Sequence, residues 1–170
     1  MFSGKTEELI RRLRRAQIAK MPTAVFKPKI DSRFSKNHIV SHNNNKLESL
    51  MISHPNEILE SAKEYKVIGI DEVQFLDDSI VDVCKSLASQ NKRIIAAGLD
   101  TDYLGQPFGP MPKIMCEADY LDKLRAICVL CGNPASYTQR TSSDADQVVL
   151  GELDKYEARC RNCFKFPKDN

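Results

Sequence analysis

The tripeptide Gly4-Lys5-Thr6, near the first residue of the chain, is the feature that most constrains the fold. It matches the end of the motif G-x-x-x-x-G-K-[ST], in which backbone N–H groups and the lysine hold phosphate oxygens and the hydroxyl reaches a magnesium ion. Such a loop joins a buried strand to the N-terminus of a helix, whose dipole favours anions. The first glycine of the motif and the strand before it would precede Met1. We therefore expect Met1 to be an internal residue of a longer protein.

Apolar and helical segments alternate after this loop, and this order predicts a parallel α/β sheet with helices on both faces. The predicted helices cover residues 6–20, 57–65 and 78–91, and the predicted strands cover residues 23–26, 67–70 and 93–99. The polar stretch 31–45 predicts a loop. The expected fold class is therefore a phosphate-loop, RecA-like parallel sheet with flanking helices. Ligands of such sheets bind at the carboxyl ends of the strands.

An acidic pair, Asp71-Glu72, directly follows the apolar strand Val67-Ile68-Gly69-Ile70. This position places Asp71 beside the phosphate loop, where its carboxylate and the Thr6 hydroxyl can bind magnesium. Glu72 is expected on the opposite side of the extended chain, so it does not need to bind the metal and can accept a proton. In an ATPase it would polarise water, and in a kinase it would accept the proton of a substrate hydroxyl. The spacing of the residues does not separate these two reactions.

Two C-x-x-C pairs, Cys128/Cys131 and Cys160/Cys163, lie in the last part of the chain. Two such thiolate pairs can close a tetrahedral zinc site, whereas a redox C-x-x-C motif usually occurs singly. Because all four ligands would come from the protein, the zinc is expected to be structural. The sequence therefore predicts a phosphate-loop domain followed by a small zinc-ribbon-like domain that the metal stabilises, with the bounds 1–124 and 125–170.

The composition argues against two classes of partner. The formal net charge of +2 is too small to favour nucleic acid as the main partner. No apolar run approaches the roughly 18–20 residues that cross a bilayer, so a membrane partner is not expected. The C-x-x-C pattern of four cysteines indicates an intracellular protein, and the remaining Cys84 and Cys116 are expected to be packing residues.

Several longer motifs together resemble the type II thymidine kinases, the cellular cytosolic thymidine kinase family. The resemblance begins with Met1-Phe2-Ser3-Gly4-Lys5-Thr6 and Asp71-Glu72-Val73-Gln74-Phe75. It extends over almost the whole chain through the segments 26–34 (with the pattern K-P-x-x-D-x-R), 98–100, 106–109, 137–140 and 155–163. The resemblance implies transfer of the γ-phosphoryl group of ATP to the 5′-hydroxyl of thymidine, and deoxyuridine is a further candidate substrate.

The same resemblance implies roles for individual residues. Glu72 would be the general base that accepts the proton of the 5′-hydroxyl. The ATP phosphates and magnesium would be bound by Ser3, Gly4, Lys5, Thr6, Arg33, Asp71 and Gln74. The nucleoside would be bound by Met1, Phe75, Leu99, Tyr103, Phe108, Thr138, Gln147, Val148, Val149 and Tyr156. The family has a lasso loop between the positions of Thr138 and Tyr156, whose backbone would hydrogen-bond the thymine edge and whose ends the zinc would anchor.

The family further implies a cytoplasmic homotetramer that binds ATP and thymidine and is inhibited by thymidine triphosphate. Two alternatives stay open. A zinc-ribbon phosphate-loop ATPase acting on DNA would predict a basic ribbon, but residues 125–170 carry almost equal numbers of acidic and basic side chains. A zinc-ribbon interaction module without enzymatic activity would leave the phosphate loop and Asp71-Glu72 unexplained.

Overall fold

A sheet of four parallel strands forms the centre of the molecule. The structure is a computed structural model that describes residues 1–29, 38–40, 46–141 and 155–166. From one edge to the other, the strands are β4 (Leu50–Ile52), β1 (Thr23–Pro28), β5 (Val67–Ile70) and β6 (Arg93–Ala96). The inner strands β1 and β5 are almost fully buried, because helices cover both faces of the sheet. The predicted α/β fold with a parallel sheet is confirmed.

Helices pack on the two faces of the sheet through apolar stripes. Helix α1 (Lys5–Ile18) packs on one face, where its buried side chains meet those of β1 and β5 in a cluster of Leu9, Ile10, Leu13, Ala16, Val25 and Val67. The other face is covered by α2 (Asn56–Ser61), α3 (Ser79–Ser89) and α4 (Met111–Glu117). The larger core cluster on that face includes Phe26, Ile58, Ile68, Ile70, Ile80, Val83, Leu87, Met111 and Ile114. The buried residues of α3, Ile80, Val83 and Leu87, are three and four positions apart, a spacing typical of helices that cover a sheet.

The contact between α1 and β5 is very close. A Cβ atom added to Gly69, in β5, would lie 2.8 Å from Cδ1 of Leu13, well inside the separation that non-bonded carbon atoms prefer. Because α1 lies directly against the backbone of β5, its first turn is held at the carboxyl ends of the strands. Gly4 precedes this turn with a φ of 72°, a left-handed conformation that glycine adopts without strain.

The C-terminal part consists of two small antiparallel ribbons. Strand β7 (Ala126–Ile127) pairs with β8 (Pro134–Ala135), and β9 (Tyr137–Arg140) pairs with β10 (Tyr156–Arg159). Their common core comprises Ala126, Cys128, Ala135, Ala158 and Cys160. A third ribbon pairs β2 (His38–Val40) with β3 (Lys46–Glu48).

Within the described part of the chain, no helix has both the length and the apolar character that a membrane crossing requires.

The predicted helix over residues 57–65 is shorter in the structure, where α2 ends at Ser61. Lys92 captures the carbonyl groups that follow this end. Its ammonium group donates hydrogen bonds of 2.9, 2.9 and 2.7 Å to the carbonyl oxygens of Ala62, Lys63 and Tyr65. A cation that binds the last carbonyl groups of a helix stabilises its end, so a tertiary contact sets this boundary.

Two further predictions require correction. The predicted strand 93–99 ends at Ala96, and its residues are half-buried or exposed because β6 lies at the edge of the sheet that the described residues form. Part of the predicted loop 31–45 is strand β2, and the other residues of that stretch lie outside the described ones.

The two unpaired cysteines have different environments. Cys84 packs against the main core, as expected, and burial raises the pKa of its thiol to about 11. The expectation that Cys116 packs inside is wrong, since it is exposed on α4. Helix α4, which was not predicted, buries Met111 and Ile114, and a residue two positions after Ile114 points away from that face.

We expect Gly69→Val to destabilise the protein by about 1–3 kcal/mol, because the added methyl groups must displace α1 from β5. Urea unfolding followed by circular dichroism measures this loss. The double variant with Leu13→Ala should lose less than the sum of the two single variants, since the smaller side chain removes the overlap. Gly132→Asn is the control, because no atom lies within 4 Å of a Cβ at that position and asparagine tolerates a left-handed conformation. Equal losses at both glycines would contradict the role assigned to the close contact.

Candidate active site at the carboxyl edge of the sheet

The first turn of α1 and the end of β5 bring Thr6 and Asp71 together. The Thr6 hydroxyl donates a hydrogen bond of 3.2 Å to Oδ2 of Asp71. The Asp71 N–H donates to the carbonyl oxygen of Phe26 at 3.0 Å, which extends the pairing of β1 with β5 by one step. Asp71 is only 5% exposed, so its carboxylate is fixed at the edge of the sheet beside the loop. The predicted proximity of the loop and this carboxylate agrees with the structure.

Glu72 lies in a turn rather than in extended chain, which corrects the expected conformation. Its φ of 52° and ψ of 42° place it in the left-handed region, where a residue with a side chain is strained by about 1–3 kcal/mol. The Glu72 N–H donates to Oδ1 of Asp71 at 3.0 Å, and a short 3₁₀ turn (Val73–Phe75) follows. The turn redirects the chain so that the two neighbouring carboxylates have different surroundings.

Gln74 connects Glu72 to the end of the next strand. Its amide Nε2 donates to Oε2 of Glu72, and its Oε1 accepts the Leu99 N–H at 3.0 Å. Two glycines pack closely on this residue: a Cβ at Gly109 would lie 2.4 Å from the Gln74 carbonyl oxygen, and a Cβ at Gly98 would lie 2.8 Å from Oε1. Gln74 is 3% exposed, so packing and its two hydrogen bonds fix the conformation of its side chain. The fixed amide in turn orients the Glu72 carboxylate.

Two contacts bring together further residues that the family resemblance assigned to the nucleoside. The rings of Phe75 and Phe108 pack edge to face, with centroids 5.6 Å apart and an interplanar angle of 89°. The main-chain nitrogen of Met1 lies 2.8 Å from Oγ1 of Thr138, so β9 meets the phosphate loop. Residues distant in sequence therefore surround the same edge of the sheet.

A buried arginine that was not predicted as a site residue joins two of the predicted tyrosines. The guanidinium carbon of Arg140 lies 3.5 Å from the ring centroid of Tyr103, and its Nη2 donates to the Tyr156 hydroxyl at 2.9 Å. Arg140 ends the segment 137–140 that carries part of the family resemblance, but the resemblance assigned a role in that segment to Thr138 alone. Its spacing from Thr138 is a further signal, since residues two apart in a strand share a face.

Several predicted site residues are not tested by these contacts. Ser3 and Lys5 lie partly exposed where the loop enters α1. Outside the described part of the chain lie Arg33, Gln147, Val148 and Val149.

The four cysteines of the C-x-x-C pairs form one cluster. All four sulfur atoms lie within 4.8 Å of one another, and Cys131 Sγ is 3.6 Å from the sulfurs of both Cys160 and Cys163. Sulfur ligands of a tetrahedral zinc ion are roughly 3.8 Å apart, for a Zn–S distance of about 2.3 Å. Gly132, with a φ of 72°, forms the tight turn after Cys131 and donates its N–H to the Cys128 carbonyl oxygen at 2.9 Å. The geometry fits a structural metal ion.

Hydrogen bonds within the cluster divide its thiols into more and less acidic groups. A hydrogen bond from the main chain of Cys160 lowers the pKa of the Cys128 thiol to about 6. Hydrogen bonds with the sulfurs of Cys131 and Cys160 raise the pKa of the Cys163 thiol to about 12. The first of these effects favours the thiolate, which is the form that binds a metal ion.

The loop at the start of α1 and the buried carboxylate at the end of β5 define a phosphate-loop α/β protein. The family model described as thymidine kinase matches residues 1–164. The chain belongs to the thymidine kinase family. A curated thymidine kinase from Rhodothermus sp. (strain ITI 518) is 53% identical over 168 residues, which cover 99% of this chain and 79% of that protein. These matches do not favour the alternative of a DNA-acting ATPase.

Replacing Gln74 with leucine should lower the free energy of unfolding by about 1–3 kcal/mol, because the partly buried Leu99 N–H loses its partner. Urea unfolding of the variant and the wild type measures the difference. Gln90→Leu is the matched control at the exposed end of α3, where the side chain makes one 3.4 Å contact with Ser86, and it should change stability by less than about 0.5 kcal/mol. If Gln74→Leu were as stable as its control, Gln74 would not hold the site together.

Proposed function

We propose that this protein is an ATP-dependent thymidine kinase, which transfers the γ-phosphoryl group of ATP to the 5′-hydroxyl of thymidine. The observation that carries the proposal is the position of Glu72, next to the Thr6–Asp71 pair on one side and to the Phe75–Phe108 ring pair on the other. A phosphoryl donor and a nucleoside acceptor could therefore be held on either side of this residue. The family membership supports the same reaction.

On the phosphate side, Ser3, Gly4, Lys5 and Thr6 would bind the polyphosphate through backbone N–H groups, the lysine and the hydroxyl. Thr6 and Asp71 would hold the magnesium ion that accompanies ATP, and oxygen atoms such as theirs are the ligands this ion prefers. The ion would neutralise part of the negative charge that develops during phosphoryl transfer. Arg33 would contact the transferred group, as the family resemblance implies.

On the acceptor side, Glu72 would take the proton of the 5′-hydroxyl as the hydroxyl oxygen attacks the γ-phosphorus, and the bond from that phosphorus to the bridging oxygen would break to release ADP. We propose that Gln74 serves this step by orienting Glu72 and does not bind the phosphates, because both ends of its amide group are engaged. The strained turn at Glu72 supports this role, since such strain is often maintained where a side chain must point in one direction.

The nucleoside would lie among apolar and aromatic side chains with a few polar contacts, as is typical of small-molecule sites. The proposed lining consists of Met1, Phe75, Leu99, Tyr103, Phe108, Thr138 and Tyr156, and the backbone of Gln147, Val148 and Val149 would bind the thymine edge. Inhibition by thymidine triphosphate, a homotetrameric assembly and a cytoplasmic location belong to the same proposal and rest on the resemblance alone.

The test is turnover of ATP by the protein with magnesium, with and without thymidine, while both ADP and thymidine monophosphate are measured. The proposal expects the two products in equal amounts and only when thymidine is present. Release of ADP that does not depend on thymidine would mean an ATPase and would overturn the proposal.

Glu72→Gln should reduce the rate of monophosphate formation by about 10²–10⁴-fold, the usual contribution of a general base. The affinity for ATP, measured by calorimetry, should stay within about twofold of the wild type, because the phosphate side is intact. Glu64→Gln, an exposed glutamate in the turn after α2, is the control and should leave both quantities unchanged. Undiminished turnover by Glu72→Gln would remove this residue from the mechanism.

We also propose that the four clustered cysteines bind one structural zinc ion. The supporting observation is the separation of the sulfur atoms, which all lie within 4.8 Å of one another. All four ligands would come from the protein, so the ion would stabilise the small ribbons and take no part in the reaction.

Elemental analysis should find about one zinc ion per chain in the wild type and much less in Cys131→Ser, because three ligands hold a structural zinc poorly. Melting temperature should fall in the same variant, and chelation should weaken thymidine binding before ATP binding. Cys116→Ser is the matched control, since that thiol is exposed and lies outside the cluster. A full zinc content in Cys131→Ser would contradict the site.

A further inference from the structure

Arg140 is a buried cation at the end of β9. Only 8% of the residue is exposed, and a charge removed from water is costly unless neighbouring groups compensate for it. Nothing in the proposed reaction requires this arginine. Two of its contacts are to aromatic side chains, and both of these belong to the proposed nucleoside lining.

The first contact is a stack on the ring of Tyr103. The guanidinium carbon lies 3.5 Å from the ring centroid, well within the range in which a cation is attracted to the face of an aromatic ring. Tyr103 belongs to the loop between β6 and α4. Asp102 fixes the backbone of this loop by accepting the N–H groups of Leu104 and Gln106, each at 2.9 Å. Asp102, a residue of the loop itself, thus fixes the loop backbone, whereas Arg140 on β9 holds the Tyr103 ring.

The second contact is a hydrogen bond to Tyr156. Arg140 and Tyr156 are directly opposed in the antiparallel pairing of β9 with β10, and Nη2 donates to the tyrosine hydroxyl at 2.9 Å. The same guanidinium carbon lies 5.4 Å from the Tyr156 ring centroid. One side chain therefore holds a ring from the loop after β6 and a hydroxyl from β10.

We propose that Arg140 is a positioning residue that sets the affinity for the nucleoside by holding Tyr103 and Tyr156 in their binding orientations. The inference rests on the proposed function, in which both of these tyrosines line the nucleoside site. Arg140 acts through these two tyrosines, which are the side chains that its guanidinium group holds. Its loss is therefore expected to affect thymidine and to spare ATP.

Arginine suits this position better than lysine does. A planar guanidinium group can stack on one ring and donate a hydrogen bond in its own plane at the same time. A lysine ammonium group is compact and can satisfy one of the two contacts, so Arg140→Lys should restore part of the function that Arg140→Met loses.

The experiment measures thymidine affinity by calorimetry and steady-state kinetics in Arg140→Met, Arg140→Lys and the control Arg125→Met. Arg125 is exposed and lies in the segment before β7. Arg140→Met should weaken thymidine binding by at least about tenfold, with kcat and the KM for ATP within about twofold of the wild type. The thymidine affinity of Arg140→Lys should lie between those of Arg140→Met and the wild type, and the affinity of Arg125→Met should match the wild type.

A double-mutant cycle separates positioning from a general effect on folding. Tyr103→Leu removes the ring face, so its effect on thymidine affinity should be much smaller in Arg140→Met than in the wild type. Tyr103→Phe should retain affinity, because the stack does not use the hydroxyl. Tyr156→Phe keeps the ring but removes the hydroxyl that accepts the Arg140 hydrogen bond, so it should also weaken thymidine binding. This smaller change tests the proposal even if Arg140→Met folds poorly.

The outcomes are distinguishable. Wild-type protein that does not bind thymidine would overturn the proposed function. Wild-type protein that binds thymidine, with unchanged affinity in Arg140→Met and Tyr156→Phe, would overturn only the role of Arg140. Equal losses of thymidine and ATP affinity in both variants, or additive effects of Tyr103→Leu and Arg140→Met, would show a structural role and would also overturn it.

Discussion

The close contact between Leu13 and Gly69 holds α1 against β5, and the geometry of the site depends on it. A helix that lay further from the sheet would carry Thr6 away from Asp71, whose mutual hydrogen bond of 3.2 Å joins the loop to the strand end. Strand β5 is buried along its whole length, so close packing keeps its end from moving to follow the helix. The phosphate loop is therefore positioned by packing in the core, at some distance from any ligand.

A second constraint fixes the direction of Glu72. The chain leaves β5 through a left-handed turn, and the Gln74 amide and the close approach of Gly109 hold this turn in place. The conformational strain at one residue is offset by contacts that several others make. Neighbouring carboxylates can in this way have different tasks, because Asp71 faces the loop and Glu72 faces Gln74.

Prediction from sequence succeeded where chemistry demands particular residues at fixed spacing. The Gly4-Lys5-Thr6 turn, the apolar strand before Asp71 and the paired cysteines all belong to this kind, and the parallel sheet was expected from the alternation of apolar and helical segments. The turn at Glu72 was missed because its conformation depends on Gly109, which is distant in sequence. Arg140 was missed for a related reason, since its partners come from another strand and another loop.

A metal ion on the four cysteines would also act as a crosslink between distant parts of the chain. Joining Cys131 to Cys160 closes a loop that contains β9 and β10, and a covalent bridge of similar span lowers the conformational entropy of an unfolded chain by an amount worth roughly 3.6 kcal/mol. Strands β1, β4, β5 and β6 all lie outside this closed loop. The metal ion therefore stabilises the ribbon of β9 and β10, which carries Thr138, Arg140 and Tyr156. Loss of the ion would let this ribbon open while the parallel sheet stays folded.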